Sequence, residues 1–265
     1  MRNPSFIRST LAAALVLAAS TSAHALATAS GTLSKLQIQV IDLNPIDNII
    51  ASVTFTDAVG SQAQVFAQAN DGSYVTDGSY YGAIGAVLSA SATQGAASAS
   101  GTTSAGNPYN PGFGPGASAS ASSGGVGTFA YGIGWALASN FTLTANTLLV
   151  FSANISGVAA AVSLAGERAD GTAAISLSTS DGSQNSYGQS YKHDELGNPY
   201  SNNSPFIQAA LVNLTGSSIT GFAGAYAYAN VQGVPTAPVP EPETYVLMLA
   251  GLLAVGSVAR RRSQR

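Results

Sequence analysis

The chain has 265 residues, of which only 8% are Asp, Glu, Lys or Arg, and it contains no cysteine. The lack of cysteine excludes a disulfide framework and thiolate metal sites, and the length is enough to bury a core without them. Six of the nine basic residues lie near the two ends, which leaves three basic and ten acidic residues between them. Nucleic-acid binding is therefore set aside, because it depends on clustered Lys and Arg.

The start of the chain has the parts of a secretory signal peptide in their usual order. Arg2 and Arg8 supply a basic start, and residues 11–19 form a nine-residue apolar run. Ala23 and Ala25 flank one histidine in the small-x-small pattern that signal peptidase reads. The apolar run is too short to span a bilayer, which takes about 20 residues. We therefore expect cleavage after Ala25 and export across the inner membrane.

Apolar and polar residues alternate with period two through much of residues 26–230. This period is typical of strands with one buried face, and short strands broken by Gly, Asn and Asp favour an all-β antiparallel β-sandwich, jelly-roll-like or Ig-like. A β-solenoid is the alternative, although no fixed repeat length supports it. The positions that carry the pattern are Leu36, Ile38 and Val40; Ala51, Val53 and Phe55; Ala63, Val65 and Ala67; Leu149, Phe151, Ala153 and Ile155; Ile175, Leu177 and Thr179; Ile207, Ala209 and Leu211; and Tyr226 and Tyr228.

One low-complexity segment, residues 89–125, is rich in Ala, Ser and Gly. It is either a flexible linker between two lobes or a pair of strands with small side chains. We favour strands in "SASATQGAASAS" and "ASASASS", joined by a loop in the Pro- and Gly-rich run between them. Alternating Ala and Ser suits a tightly packed strand pair.

The tripeptide Asp-Gly-Ser recurs, beginning at Asp71, Asp77 and Asp181. Asp-Gly is a strong turn former, because Gly accepts positive φ and Asp tolerates turn geometry. Calcium binding is the alternative, since acidic oxygens suit a hard cation. The twelve-residue calcium loop and the glycine-rich nonapeptide repeat are both absent from the sequence, so we favour turns and expect no metal or other cofactor.

The segment "YKHDELG" contains His193, Asp194 and Glu195. Such a group could titrate or bind a metal, but a solvated loop patch is the simpler interpretation. Glu167 and Asp170 are likewise interpreted as parts of an exposed turn. The sequence has no G-x-S-x-G elbow and no H-E-x-x-H helix motif. We expect no enzymatic activity, with a hydrolase of matrix sugars that uses Asp194 or Glu195 as the alternative.

Several tyrosines lie in sequence typical of loops, beside Asn, Ser and Gly. Exposed aromatic rings next to amides can stack on sugars and hydrogen-bond to their hydroxyl groups. Glycan binding is therefore an alternative function. The tyrosines concerned are Tyr74, Tyr80, Tyr81, Tyr109, Tyr187, Tyr191 and Tyr200.

The end of the chain has an apolar segment closed by a basic block. Residues 244–259 carry no charge and, as a helix, would reach about 24 Å, against a hydrocarbon core of about 30 Å. Arg260, Arg261 and Arg262 follow, and the positive-inside rule places them in the cytoplasm. We expect a transmembrane helix that holds the chain at the inner membrane transiently, with the preceding domain in the periplasm.

The motif Pro240, Glu241 and Pro242, followed by this apolar segment and the arginine cluster, resembles the PEP-CTERM sorting signal of Gram-negative bacteria. The resemblance covers residues 239–265 only. It implies recognition by exosortase, a membrane-embedded cysteine transpeptidase, and cleavage near the motif. It also implies a place at the cell surface, among proteins linked with exopolysaccharide.

Four parts are expected along the chain: a signal peptide (1–25), a β-sandwich ectodomain (26–230), a Pro-rich tether (231–241) and a sorting segment (242–265). The expected function is that of an exported, non-enzymatic protein of the cell surface or exopolysaccharide matrix. The alternative is an adhesin-like, glycan-binding module assisted by calcium. The expected partners are signal peptidase, exosortase and exopolysaccharide.

Overall fold

The computed structural model describes residues 26–56, 60–196 and 198–233. These residues form β-strands, and no helix among them is long and apolar enough to cross a membrane. The predicted signal helix and C-terminal transmembrane helix lie outside the described residues. The strands are β1 (Ala27–Asp42), β2 (Val53–Phe55), β3 (Ser61–Gln68), β4 (Tyr74–Gly82), β5 (Ser89–Gln94), β6 (Ala97–Ser104), β7 (Gly116–Ser123), β8 (Phe129–Leu143), β9 (Thr147–Ala161), β10 (Arg168–Thr179), β11 (Asn185–Glu195), β12 (Tyr200–Asn202), β13 (Phe206–Asn213) and β14 (Ile219–Gln232).

The strands form two antiparallel sheets that pack face to face. The first sheet has the order β13-β9-β1-β7-β6-β5, and the second has the order β12-β11-β10-β14-β8-β3-β4, with β2 also paired to β8. Strands β1, β6 and β7 of the first sheet lie against β14, β8 and β3 of the second. The predicted all-β, antiparallel class is confirmed. A β-solenoid stacks successive coils of chain along one axis, which is a different arrangement from these pairings.

Around Gly31 and Gly132 the two sheets touch through their backbones, because the facing residues are Gly and Ala. A Cβ atom added to Gly132 would lie 2.3 Å from the carbonyl oxygen of Ser100 in the other sheet. A Cβ on Gly31 would lie 2.2 Å from the carbonyl oxygen of Thr172. Real Cβ atoms do not approach this closely, so the sheets here lie nearer to one another than the usual ~10 Å.

At the other end of the sandwich, where β8 ends and β9 begins, the core is wider and holds large side chains. Phe141, Phe151, Leu143 and Leu149 are fully buried there. The layer between the sheets is therefore thin at one end and thick at the other. In the thin part there is no room inside for a large side chain, so the bulky residues of the same strands lie on the outer faces.

The segment rich in Ala and Ser forms β5, β6 and β7 of the first sheet, joined by a loop at residues 105–115. The alanines within these strands point into the thin layer and are buried, while most of the serines and threonines line the outer face; Thr103 and Ser123 are the buried exceptions in β6 and β7. Hydroxyl groups of β6 and β7 hydrogen-bond to one another across the strand pair. This agrees with the tightly packed strands predicted from the alternation of Ala and Ser. These pairs are Ser98–Ser122 at 2.7 Å, Ser100–Ser120 at 2.8 Å and Thr102–Ser118 at 2.6 Å.

Two of the three Asp-Gly-Ser sites are turns. At Asp71 and Asp181 the next glycine has φ of 84° and 71°, and the carboxylate accepts a hydrogen bond from the serine amide at 2.9 and 3.0 Å. Hydrogen bonds from Thr179 and Ser183 lower the pKa of Asp181 to about 2. The turn interpretation of Asp77 is wrong, because it lies inside β4, where its carboxylate accepts from the amide of Ser91 at 3.0 Å.

Candidate functional site

The outer face of the second sheet carries a continuous set of aromatic side chains, which we call the aromatic face. It is contributed by strands β3, β8, β14 and β11, at the positions that alternate with the buried Ala and Gly of the thin layer. Its rings are half-buried or exposed. The members are Phe66, Phe129, Tyr131, Trp135, Tyr187, Tyr191, Tyr226 and Tyr228.

Neighbouring rings of the aromatic face hold one another in place. Phe66 and Tyr131 are stacked, with centroids 5.7 Å apart and an interplanar angle of 5°. The rings of Trp135 and Tyr226 lie 4.6 Å apart, and Tyr131 contacts Tyr228 at 6.5 Å. Such contacts fix the ring orientations before any ligand arrives, which lowers the entropic cost of binding.

The tyrosine hydroxyl groups of this face are also in contact. Those of Tyr187 and Tyr226 share a hydrogen bond of 3.0 Å. Burial, with help from this hydrogen bond, raises the pKa of Tyr187. Burial also raises the pKa of Tyr228, and the negative charge of Asp170 adds to the effect. Both phenols therefore stay protonated at neutral pH and offer a hydrogen-bond donor as well as an acceptor.

Glutamine side chains flank the aromatic pair Trp135 and Tyr226. In the strand pairing, Gln62 of β3 lies opposite Trp135 of β8. On the other side, Ala174 of β10 lies between Tyr226 of β14 and Gln189 of β11. No described residue hydrogen-bonds to the side-chain amides of Gln62 and Gln189. Each amide thus has one acceptor and two donor hydrogens free for water or a ligand at the edge of the aromatic pair.

His193 closes one end of this surface. It is only 4% exposed, its Nδ1 lies 2.5 Å from Asp170 Oδ1, and its ring stacks on that of Tyr200 at 4.4 Å. Asp170 also accepts from Arg168 Nε at 3.0 Å and from Asn230 Nδ2 at 3.4 Å. The prediction of a solvated loop patch is wrong, because the register of β10 and β11 places His193 directly opposite Asp170.

The other acidic residues considered from the sequence also have structural contacts. Glu167 is 1% exposed, and Asp170 lies within β10, so the exposed turn predicted there is wrong. Asp194 Oδ2 accepts from the amide of Val162 at 3.3 Å. Glu195 Oε2 lies 3.6 Å from His193 Nε2. In the described part of the chain, no three His, Asp or Glu residues are grouped so that they could hold a metal ion.

Asp170 is expected to stabilise this end of the sheet. Replacing Asp170 with Ala would leave the ring of His193 and the amide of Asn230 without their acceptor, at a cost of about 1–3 kcal/mol in the free energy of unfolding. Glu195→Ala is the matched control: this side chain is 49% exposed and its one ion-pair contact among the described residues is that of 3.6 Å to His193, so its loss should cost less than about 0.5 kcal/mol. Urea unfolding measures both values. Equal effects would mean that the short contact to Asp170 carries no special weight.

Most tyrosines assigned to loops from the sequence lie in strands instead. Tyr74 is in β4, Tyr187 and Tyr191 are in β11, and Tyr200 is in β12, whereas Tyr109 lies in the loop after β6. Tyr80 and Tyr81 fall within β4.

Sequence reasoning missed Phe66, Phe129, Tyr131 and Trp135 altogether. The sequence pattern from which most of them could have been predicted is "FAYGIGW", in which large residues alternate with Ala or Gly. In such a run the small residues can fill the core and leave the large ones outside.

The residues proposed for processing, Ala23, Ala25, Pro240–Pro242 and Arg260–Arg262, lie outside the described residues. Residues 238–263 match the family model of the PEP-CTERM protein-sorting motif, so the resemblance stated above is confirmed for this segment. No curated protein and no solved structure matches the chain. The motif implies processing by exosortase, export through the membrane and sorting to the cell surface.

Proposed function

We propose that this exported chain is a non-enzymatic protein of the cell surface or exopolysaccharide matrix, and that its aromatic face binds polysaccharide. The observation that carries the proposal is the pairing of Trp135 and Tyr226 between the free amides of Gln62 and Gln189.

The chemistry of this surface matches that of a sugar chain. Each pyranose ring has an apolar C–H face, which can lie on an aromatic ring, and a rim of hydroxyl groups, which amides and phenols can hydrogen-bond. Because the face is open and extended along the sheet, it suits several consecutive sugar units better than one small molecule. A deep cleft would be expected for the latter.

The charge of the face favours a neutral polysaccharide. Arg168 lies at its end and already pairs with Asp170 at 3.0 Å. A uronic acid or sulfated chain would bring negative charges to Trp135 and Tyr226, whose strand neighbours in the described residues include no cation. Lys192 forms no ion pair among the described residues, but it lies beside Tyr191 at the end of the face where Arg168 also lies. We therefore expect neutral glucans or similar chains to bind more tightly than acidic ones.

The absence of enzymatic activity is part of the proposal. His193 is enclosed between Asp170 and Tyr200, and Asp194 is bonded to a backbone amide. These contacts give the titratable groups structural roles. A hydrolase would instead need to present such groups to the substrate.

Binding can be tested on protein recovered from the native host after processing. Trp135 is the only tryptophan of the chain, so its fluorescence should change when neutral polysaccharide is added. Tyr226→Ala should weaken binding about 10-fold or more, since an aromatic anchor in an interface is commonly worth about 2 kcal/mol. Tyr109→Ala is the matched control, because it removes an exposed loop tyrosine and should leave the affinity unchanged.

Three results would contradict parts of this proposal. Unchanged affinity in Tyr226→Ala, together with a loss in Tyr109→Ala, would move the binding site to the loops. Loss of binding on addition of a chelator would favour the calcium-assisted alternative. Release of oligosaccharides that stops in Asp194→Asn or Glu195→Gln would favour the hydrolase.

A further inference from the structure

Glu167 is a buried carboxylate, and only one of its two oxygen atoms accepts hydrogen bonds from the described residues. It lies in the turn between β9 and β10 and is 1% exposed. Its Oε2 accepts hydrogen bonds from the amides of Ser163 and Leu164, both at 2.9 Å, and from the hydroxyl of Ser163 at 3.3 Å. Its Oε1 is buried and has no hydrogen-bond partner among the described residues.

No positive side chain compensates this buried charge in the described part of the chain. Arg168, the next residue, directs its Nε to Asp170. Neither Lys35 nor Lys192 forms an ion pair with Glu167 among the described residues. A carboxylate withdrawn from water without a counter-charge is costly, so the missing partner calls for an explanation.

A candidate partner is the backbone nitrogen of Leu26. It donates a hydrogen bond of 2.8 Å to Ser163 Oγ, and this hydroxyl in turn donates to Glu167 Oε2 at 3.3 Å. The two distances place the Leu26 nitrogen within about 6 Å of the carboxylate oxygen. An opposite charge at about 4–6 Å is close enough to stabilise an ionised carboxylate.

We propose that signal peptide removal creates the counter-ion of Glu167. In the precursor the nitrogen of Leu26 is a neutral peptide amide with one hydrogen. Hydrolysis of the bond after Ala25 adds water across it, which leaves a carboxylate on Ala25 and, at neutral pH, a positively charged ammonium group with three donor hydrogens on Leu26. This group gains a charge interaction with Glu167 that the precursor cannot make.

The consequence is a domain whose full stability is reached only after export. The precursor holds a buried charge without its partner and is the less stable form, while the processed chain is locked by the new ammonium group. The inference rests on the predicted cleavage after Ala25. Mass spectrometry of the exported protein tests that site by itself, because any other N-terminus would overturn the cleavage prediction.

The ion pair is tested separately, on the chain from Leu26 to Arg265 purified in detergent. A second chain carries Gly-Ser before Leu26, which moves the ammonium group up to about 7 Å away. Both are made with and without Glu167→Gln. The extension should lower the unfolding midpoint of the wild-type chain by several degrees and have little effect in the Glu167→Gln background. An equal effect in both backgrounds would overturn the proposal.

Asp194→Asn serves as the control for this comparison of two N-termini in two backgrounds, because Asp194 is bonded to the same turn through the amide of Val162. The effect of the extension should persist in this background, and its loss there would overturn the assignment to Glu167.

A second measurement does not depend on any variant. Acylation of the Leu26 amine, followed against pH, reports the pKa of this group. The charged groups on the elements next to it are Glu167 in the turn after β9, Asp194 of β11, which bonds to the same turn, and the paired Arg168 and Asp170 of β10. Pairing with Glu167 should raise this pKa by about one unit above the usual 7.7–8.0, so that acylation at pH 7 is roughly ten times slower than in the urea-unfolded chain. Leu26 is 53% exposed, so access to the reagent is not limiting. Identical pH profiles in the two states would overturn the proposal.

Discussion

Replacing Gly132 with Ala is expected to lower the free energy of unfolding by about 1–3 kcal/mol, although only one methyl group is added. That methyl carbon would lie 2.3 Å from the carbonyl oxygen of Ser100 and 3.0 Å from that of Ser120, both in the opposite sheet. Since the clashing atoms belong to the backbone, no side chain can turn away to relieve them. The two sheets must separate locally, and the neighbouring Ala layer loses its close contacts as well.

Gly157→Ala is the matched control. Gly157 also lies in a strand, β9, but a Cβ atom there would have no heavy atom of the described residues within 4 Å, its two chain neighbours aside. This substitution should be neutral or slightly stabilising, because Ala restricts the unfolded chain more than Gly does. Urea unfolding followed by the fluorescence of Trp135 gives both values. Equal stability of the two variants would contradict backbone contact between the sheets at Gly132.

The strands with large apolar residues could be predicted because two signals agree there. At Ile175 and Leu177, or at Leu149 and Phe151, the period of two and the size of the side chain both point to the core, and all four are buried. In the thin part of the molecule these signals conflict. Tyr226 and Tyr228 share a face, as the alternation predicts, but it is the outer one, since the space between the sheets admits only the alanines beside them.

This conflict explains why the aromatic face could not be found from the sequence. A shift of one residue exchanges the two faces of a strand, and only the facing sheet decides which set lies inside. The facing sheet is made of Ala, Ser and Gly strands whose pairing with one another is itself non-local. Gly132 and Gly134 would ordinarily indicate a weakened strand, whereas here they permit close approach of another backbone.

The titratable residues were misjudged for a related reason. His193 and Glu167 have charged neighbours in sequence, which favours an exposed loop when no other information is present. Their actual partners come from strand register and turn geometry: Asp170 is 23 residues away from His193, and Ser163 reaches Glu167 across a turn. Burial of such groups depends on contacts that a single sequence does not specify.

Loss of the sorting motif is expected to have the largest effect on where the protein resides. Replacing Pro240, Glu241 and Pro242 together with Ala should abolish processing by exosortase and leave the full-length chain in the membrane fraction. The physical reason is that proline favours an extended conformation for the residue before it, and so should hold the peptide outside the helix predicted to follow. With Ala at all three positions the predicted helix could continue upstream, and the extended segment expected to be bound by a processing enzyme would be lost.

Pro235→Ala provides the control, since it changes a proline of the same tether outside the matched residues 238–263. This variant should be processed and released like the wild type, as judged by immunoblots of membrane and extracellular fractions from the native host. A host without exosortase should retain wild type and control alike. Release of the triple variant at the normal size would contradict recognition through Pro-Glu-Pro. Retention of the control would instead show that the stiffness of the whole tether is what matters, because both changes remove proline but only one removes the motif.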